Sequence, residues 1–218
     1  MPELPEVETL VRGAKQKLVG KTIKEVKVSW PKAVGDKVDD FVRAVLNKKI
    51  EGVERRGKLI ILELSGDITL LTHLKLTGQL IYEDKGGKLY EGGHAEKILA
   101  GTPLPHKFTA VEFTFSDDSK LYFNDLRKFG WMKVMQKSNL KNQKEIMELG
   151  IEPTDSQFTA SKLKELLQKK SKTKIKEFLM DQSLIAGLGN IYSSEILWEA
   201  KIAPQRPAGS LKDIEKLN

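Results

Sequence analysis

The sequence predicts an α+β protein: an N-terminal β-sandwich with flanking helices, followed by an all-helical C-terminal domain. Three observations carry this. Apolar residues between positions 22 and 135 come in short β-type runs with turn punctuation, and beyond Met135 the strand signal stops and helical periods replace it. The 218 residues, 39% of them hydrophobic, can bury one substantial core or two small ones. The expected division is a β-domain over 1–135, a linker with a short helix over 136–150 and a helical domain over 151–218, with a cleft between the two domains.

The elements follow in order. Val7, Leu10 and Val11 begin a helical period that runs to about Leu18 and stops at Gly20. Strands are expected over 22–29, 50–56, 58–64, 68–73, 78–82, 109–115, 120–124 and 130–135, with a helix over 38–46 between the first two. Ser65-Gly66-Asp67 and Ser116-Asp117-Asp118 fit hairpin turns. The glycine-rich stretch 83–106 reads as a long surface loop. Residues 136–142 read as a polar linker, and helices are expected over 143–149, 160–168, 172–180 and 191–199.

Composition narrows the function. The net charge is +7, and residues 160–176 hold seven lysines against one acid, Glu165. Such a block is either a solvated helix face or a contact for a polyanion, whose binding would then be strongly salt-dependent. The acidic N-terminus does not resemble a signal peptide, and no apolar run approaches the roughly 20 residues of a membrane span. The expectation is a soluble, cytoplasmic protein. There is no cysteine, which excludes disulfides and thiolate zinc sites, and the three histidines lie far apart, so no metal is expected.

Five segments could carry chemistry. The chain opens Met1-Pro2-Glu3-Leu4-Pro5-Glu6-Val7-Glu8-Thr9. Removing Met1 would leave proline as a free secondary amine; an α-amino group titrates near ~8, so part of it would be unprotonated at neutral pH and able to form an iminium. Arg55-Arg56-Gly57-Lys58 is a basic turn between strands, and alone it marks only a common hairpin lysine. In His73-Leu74-Lys75-Leu76-Thr77-Gly78, Leu74 and Leu76 also fit alternating strand residues of a core. Asn124-Asp125-Leu126-Arg127-Lys128-Phe129-Gly130-Trp131 puts a guanidinium beside an aromatic ring on one loop, or a surface arginine beside a buried phenylalanine. In the last segment, from Lys176 to Tyr192, two glycines precede Asn190, which can cap a helix beginning at Ile191, and that helix start offers backbone N–H groups to a phosphate.

In order and spacing these segments resemble the Fpg/Nei family of DNA glycosylases, in particular its formamidopyrimidine-DNA glycosylase branch. The opening is similar to that branch's N-terminus, and Gly187-Leu188-Gly189-Asn190-Ile191-Tyr192 is similar to its helix–two-turn–helix. The resemblance implies a bifunctional glycosylase and AP lyase of base excision repair, removing 8-oxoguanine and formamidopyrimidines. Its partner would be double-stranded DNA carrying oxidised bases or abasic sites, bound by a monomer in the nucleoid. Pro2 would attack C1′, Glu3 would act as acid–base group, Lys58 would reach the lesion and its phosphate, and Glu6 would order the N-terminus. Leu76, where most members carry methionine, would fill the hole left by the extruded nucleotide. Arg127 would hydrogen-bond the orphaned base with Phe129 wedged beside it, and Lys176 and Asn190 would grip phosphates. No cofactor is implied for the elimination chemistry. The sequence departs from the family at Leu126, usually proline, and ends at Asn218 where members continue into a four-cysteine zinc finger; a naturally zincless, shortened form and a truncated chain both fit this. Two other readings are a non-catalytic binder of damaged or abasic DNA and an Nei-like enzyme for oxidised pyrimidines.

Overall fold

The computed structural model describes residues 1–35, 37–93 and 102–211. The chain divides into two compact units, Met1–Asn142 and Gln143–Asn218. In the first, helix α1 (Leu4–Leu18) starts with Pro5 in its first turn and a capping box in which the Glu6 carboxylate accepts the backbone N–H of Glu3 at 2.9 Å. It buries Leu4, Val7, Leu10, Val11 and Leu18, one face at helical spacing. Helix α2 (Val38–Val45) buries Phe41 and Val45 in the same way.

Among the described residues, nine strands form two antiparallel sheets. β1 (Ile23–Val28), β7 (Thr109–Phe115), β8 (Lys120–Asp125), β5 (Gly78–Glu83) and β6 (Leu89–Gly93) lie in that order in one sheet; β2 (Ile50–Arg56), β3 (Leu59–Leu64), β4 (Ile68–His73) and β9 (Trp131–Gln136) make the other. Both feed one hydrophobic core, with Val111, Phe113 and Phe123 from the first sheet, Ile60, Leu62, Leu70 and Met132 from the second, and Val7, Leu10 and Phe41 from the helices. This is the sandwich with flanking helices expected from the strand pattern.

The stretch 83–106 is not all loop. Asp84 takes the backbone N–H groups of Gly86 and Lys88 on one carboxylate oxygen, at 2.9 and 3.0 Å, and the turn returns the chain as β6, paired with β5 from Glu83↔Leu89 to Gln79↔Gly93. Residues 94–101 of that stretch lie outside the described residues. Within 136–142, Lys137–Asn142 is a 3-10 helix at the end of the first unit.

The second unit holds α3 (Lys144–Met147), α4 (Ala160–Lys169), α5 (Ile175–Met180) and α6 (Asn190–Glu199). Thr159 caps α4 by accepting the Lys162 N–H at 3.2 Å. Leu163, Leu166 and Leu167 of α4 pack with Ile175, Phe178, Leu179, Ile185 and Leu197 in a separate core. The lysines of α4 stay on its solvated side, where Lys162 and Lys169 both pair with Glu165. Helix α5 begins at Ile175 rather than 172 because the preceding backbone is engaged elsewhere: Thr173 O accepts from Ala208 N–H and Ile175 N–H donates to Arg206 O, each at 2.8 Å. Residues 212–218 of the expected helical domain lie outside the described ones.

Candidate active site and nucleic-acid interface

The first cluster gathers at the start of α1. Pro2 is buried and leads directly into Glu3, which is only 1% exposed. Glu8, one turn further on, accepts hydrogen bonds from Arg12 at 2.7 Å and from Arg55 of β2 at 2.6 Å, and both guanidinium groups hold its carboxyl below the usual range. The Arg55 pair fastens α1 to the strand that leads into the Lys58 hairpin. Arg56 pairs with Leu59, so the connection is two residues, and Gly57 sits at φ +56°, the left-handed conformation expected of the first residue in such a turn.

Lys58 is 7% exposed, so it is neither a solvated hairpin lysine nor part of β3. Burial pushes its ammonium below the ordinary value; the Glu3 carboxylate acts in the opposite direction, and Lys75 adds to the lowering. His73 belongs to the same group: burial, then the charges of Lys75 and Lys58, press it down to about 3. Its Nδ1 accepts the Lys75 backbone N–H at 2.9 Å, which fits a neutral ring. Lys58 thus interacts electrostatically with Glu3, Lys75 and His73, and Lys75 acts on His73 as well. Neither His73 nor Lys75 was given a role from sequence; both are half-buried, and the signal that finds them is their electrostatic interaction with Lys58, which residue type alone does not carry.

The second group consists of two chain crossings in the same unit. Leu74 is core, whereas Leu76 is half-buried, and neither lies in a strand, since β4 ends at His73 and β5 begins at Gly78. The chain folds back so tightly that Gly78 N–H donates to Leu74 O at 2.9 Å, and a Cβ at Gly78 would lie 2.3 Å from that oxygen. In the crossing from β8 to β9, Arg127 is exposed and Phe129 is 53% exposed, with the guanidinium 5.1 Å from the ring centroid. The alternative of a buried Phe129 is thereby removed.

The third group lies within the helical unit. Lys176 Nζ of α5 donates to Ser194 Oγ at 2.9 Å, and Ser194 Oγ donates to Asn190 O at 2.7 Å, so Lys176 and the first turn of α6 share one local network. Asn190 is not the cap: Gly189 occupies that position, Asn190 is the first helical residue, and its side chain is exposed. The turn before it is held by Gln182, whose amide nitrogen donates to Met180 O at 2.8 Å and Leu188 O at 2.7 Å, while its oxygen accepts Gly187 N–H at 3.0 Å. Gly187, at φ +102°, makes the bend. A glutamine in a loop carries no sequence signal until its partners are seen, and Gln182 has no such signal of its own.

Among the described residues no group of three or more His, Cys, Asp or Glu is arranged to hold a metal ion, and no helix is long and apolar enough to cross a membrane. With no cysteine in the sequence, these residues do not fit a four-cysteine zinc site.

A sandwich with an exposed arginine and phenylalanine and a half-buried leucine on its crossings, and a helical unit with a lysine beside a helix start, fits the class of nucleic-acid-processing proteins. Comparison with known proteins narrows it. Residues 1–132 match the formamidopyrimidine-DNA glycosylase N-terminal domain and residues 149–217 the formamidopyrimidine-DNA glycosylase H2TH domain. The formamidopyrimidine-DNA glycosylase of Enterococcus faecalis is 43% identical over 216 residues, covering 99% of this chain and 71% of the relative. That of Carboxydothermus hydrogenoformans is 39% identical over 216 residues, with coverage of 99% and 72%. Among solved structures, Lactococcus lactis Fpg in complex with DNA containing an abasic site superposes with a TM-score of 0.84 at 31% identity, covering 99% of this chain and 73% of that one. A complex of the same enzyme with DNA containing N7-benzyl-Fapy-dG gives 0.85 at 32%, with coverage of 99% and 74%. The chain belongs to the formamidopyrimidine-DNA glycosylase family.

Proposed function

We propose that this protein is a bifunctional DNA glycosylase and AP lyase of base excision repair that removes oxidised purines from duplex DNA. It would act as a monomer on chromosomal DNA in the cytoplasm, at the nucleoid. Family membership supports the reading, and the observation that carries it at residue level is the buried Glu3–Lys58 pair beside Pro2.

Loss of Met1 converts the Pro2 nitrogen from an amide into a secondary amine. The damaged nucleotide leaves the stack, because C1′ is out of reach inside it. The amine attacks C1′ as the bond to the base breaks; the base departs with the electron pair and takes up a proton. Lys58, a cation held in a desolvated position, stabilises the negative charge that develops on the leaving base or the adjoining phosphate. The Glu3 carboxyl delivers a proton to O4′ as the sugar ring opens to an iminium. The iminium acidifies C2′: loss of that proton expels the 3′ phosphate, and loss of the C4′ proton then expels the 5′ phosphate. Water releases the sugar fragment and restores the amine.

Leu76, Arg127 and Phe129 occupy the vacated stack, with Arg127 toward the orphaned base. Lys176 and the start of α6 at Asn190 hold phosphates. The test is a panel of duplexes carrying 8-oxoguanine, a formamidopyrimidine, thymine glycol or an abasic site opposite each base. Cleavage at the purine lesions and at the abasic site is expected. Preference for thymine glycol would shift the reading to oxidised pyrimidines, and binding without any nicking would leave a damage-recognition protein.

A further inference from the structure

The two chain crossings that carry Leu76 and the Arg127–Phe129 pair are tied together by one buried carboxylate. Residues 74–77 carry the chain from β4 to β5, and residues 126–130 carry it from β8 to β9. Gly78 pairs with Asp125 across β5 and β8, while His73 pairs with Trp131 across β4 and β9, so sheet register sets both crossings side by side. At their junction Asp125 is 1% exposed. Its Oδ1 accepts from the Thr77 hydroxyl and from Arg127 N–H at 3.1 Å, and its Oδ2 accepts Gly130 N–H at 2.6 Å. Thr77 Oγ1 in turn accepts Arg127 N–H at 3.0 Å, so this hydroxyl both donates and accepts across the two crossings. Gly130 allows the approach: a Cβ there would lie 2.7 Å from Phe123 and 3.1 Å from the Asp125 carboxylate.

We propose that Thr77 and Asp125 are positioning residues that lock the two crossings into one wedge, so that Leu76, Arg127 and Phe129 enter a gap in a base stack together. The ligand feature recognised is the gap itself, an abasic or vacated position in duplex DNA. This rests on the DNA-repair reading above. Unstacking has a cost for each inserted side chain, and a rigid pair of loops meets that cost in a single event instead of ordering two separate loops on binding.

The test compares wild type with Thr77→Val, which keeps the branched shape and removes the hydroxyl, and Thr77→Ser, which keeps the hydroxyl. The quantity is the ratio of Kd for intact duplex to Kd for the same duplex bearing a tetrahydrofuran abasic analogue. Thr77→Val is expected to lower this ratio roughly tenfold, the scale of one lost buried hydrogen bond, and Thr77→Ser to stay within about twofold. At saturating protein, 2-aminopurine placed opposite the analogue reports entry of the Arg127–Phe129 loop, and Thr77→Val should reduce that fluorescence change while Thr77→Ser preserves it. If Thr77→Val does not fold, Thr77→Ala is measured in its place. A wild-type ratio and amplitude in the hydroxyl-less variant, an equal loss in Thr77→Ser, or a wild type with no preference for the gapped duplex each overturns the proposal. Neither readout needs turnover, so a wild type that binds but does not nick abasic DNA contradicts the lyase reading and leaves this test standing.

Discussion

Replacing Gln182 with alanine removes the three side-chain hydrogen bonds that hold the turn before α6. Two of them, to Leu188 O and from Gly187 N–H, are partly buried, and the third, to Met180 O, is exposed. At about 1 kcal/mol net for each partly buried bond, and little for the exposed one, the turn loses about 2 kcal/mol, roughly a 30-fold rise in its opening constant. The Gln182 backbone carbonyl, which accepts Gly150 N–H at 2.8 Å, is unaffected by the change, so the neighbouring segment should stay attached. Hydrogen exchange read on the 182–193 region is the direct assay, because local opening is what the substitution changes. The amides of Gly187 and Ser193 should exchange faster by that order, with the β-sandwich unaltered. Affinity for abasic duplex should fall in parallel if Asn190 and Lys176 hold phosphates. Protection unchanged within about threefold would refute the assignment of Gln182 as the organiser of this turn.

Other outcomes follow from the first unit. Lys58→Met should reduce excision of 8-oxoguanine by about 100-fold, the scale for losing one positioned electrostatic contact to a developing charge, measured by single-turnover kinetics with DNA binding checked separately. Retention of the wild-type rate would remove Lys58 from the reaction. His73 should stay neutral through the physiological range: its ring resonances should not titrate between pH 5 and 8, where an ordinary histidine changes near 6.5. The sign for stability follows. The unfolded chain takes up the proton near 6.5 and the folded ring only near about 3, so the contribution is complete above 6.5 and declines as pH falls between these values. A midpoint close to 6.5 in the folded protein would contradict the burial account.

Local pattern carried much of this structure. The α1 face, the two hairpins around β3 and the pairing of β7 with β8 rest on spacing and turn residues that the sequence displays directly. What escaped depended on long-range packing. β6 looked like loop because it ends in two glycines, yet a Cβ at Gly92 would lie 2.7 Å from Leu10 of α1, so glycine there answers the helix and not a turn. The start of α5 moved because the backbone at Thr173 and Ile175 bonds to the segment around Arg206 and Ala208. At the site, the prominent residue types were visible, but the groups that hold them were not: Asp125 and Gln182 owe their meaning to partners up to 48 residues away in sequence in one case and to a local turn in the other. Without the family resemblance, the turn at Lys58 marks only a common hairpin lysine, because nothing local announces that it is covered.

Borohydride reduction during the reaction with abasic duplex, followed by peptide mass mapping, addresses the Pro2 chemistry most directly. The account predicts a covalent adduct on the peptide that begins at Pro2, and none when the N-terminus is extended or acetylated. An adduct that persists in the blocked protein, or that maps to Lys58 or any other lysine, would contradict it.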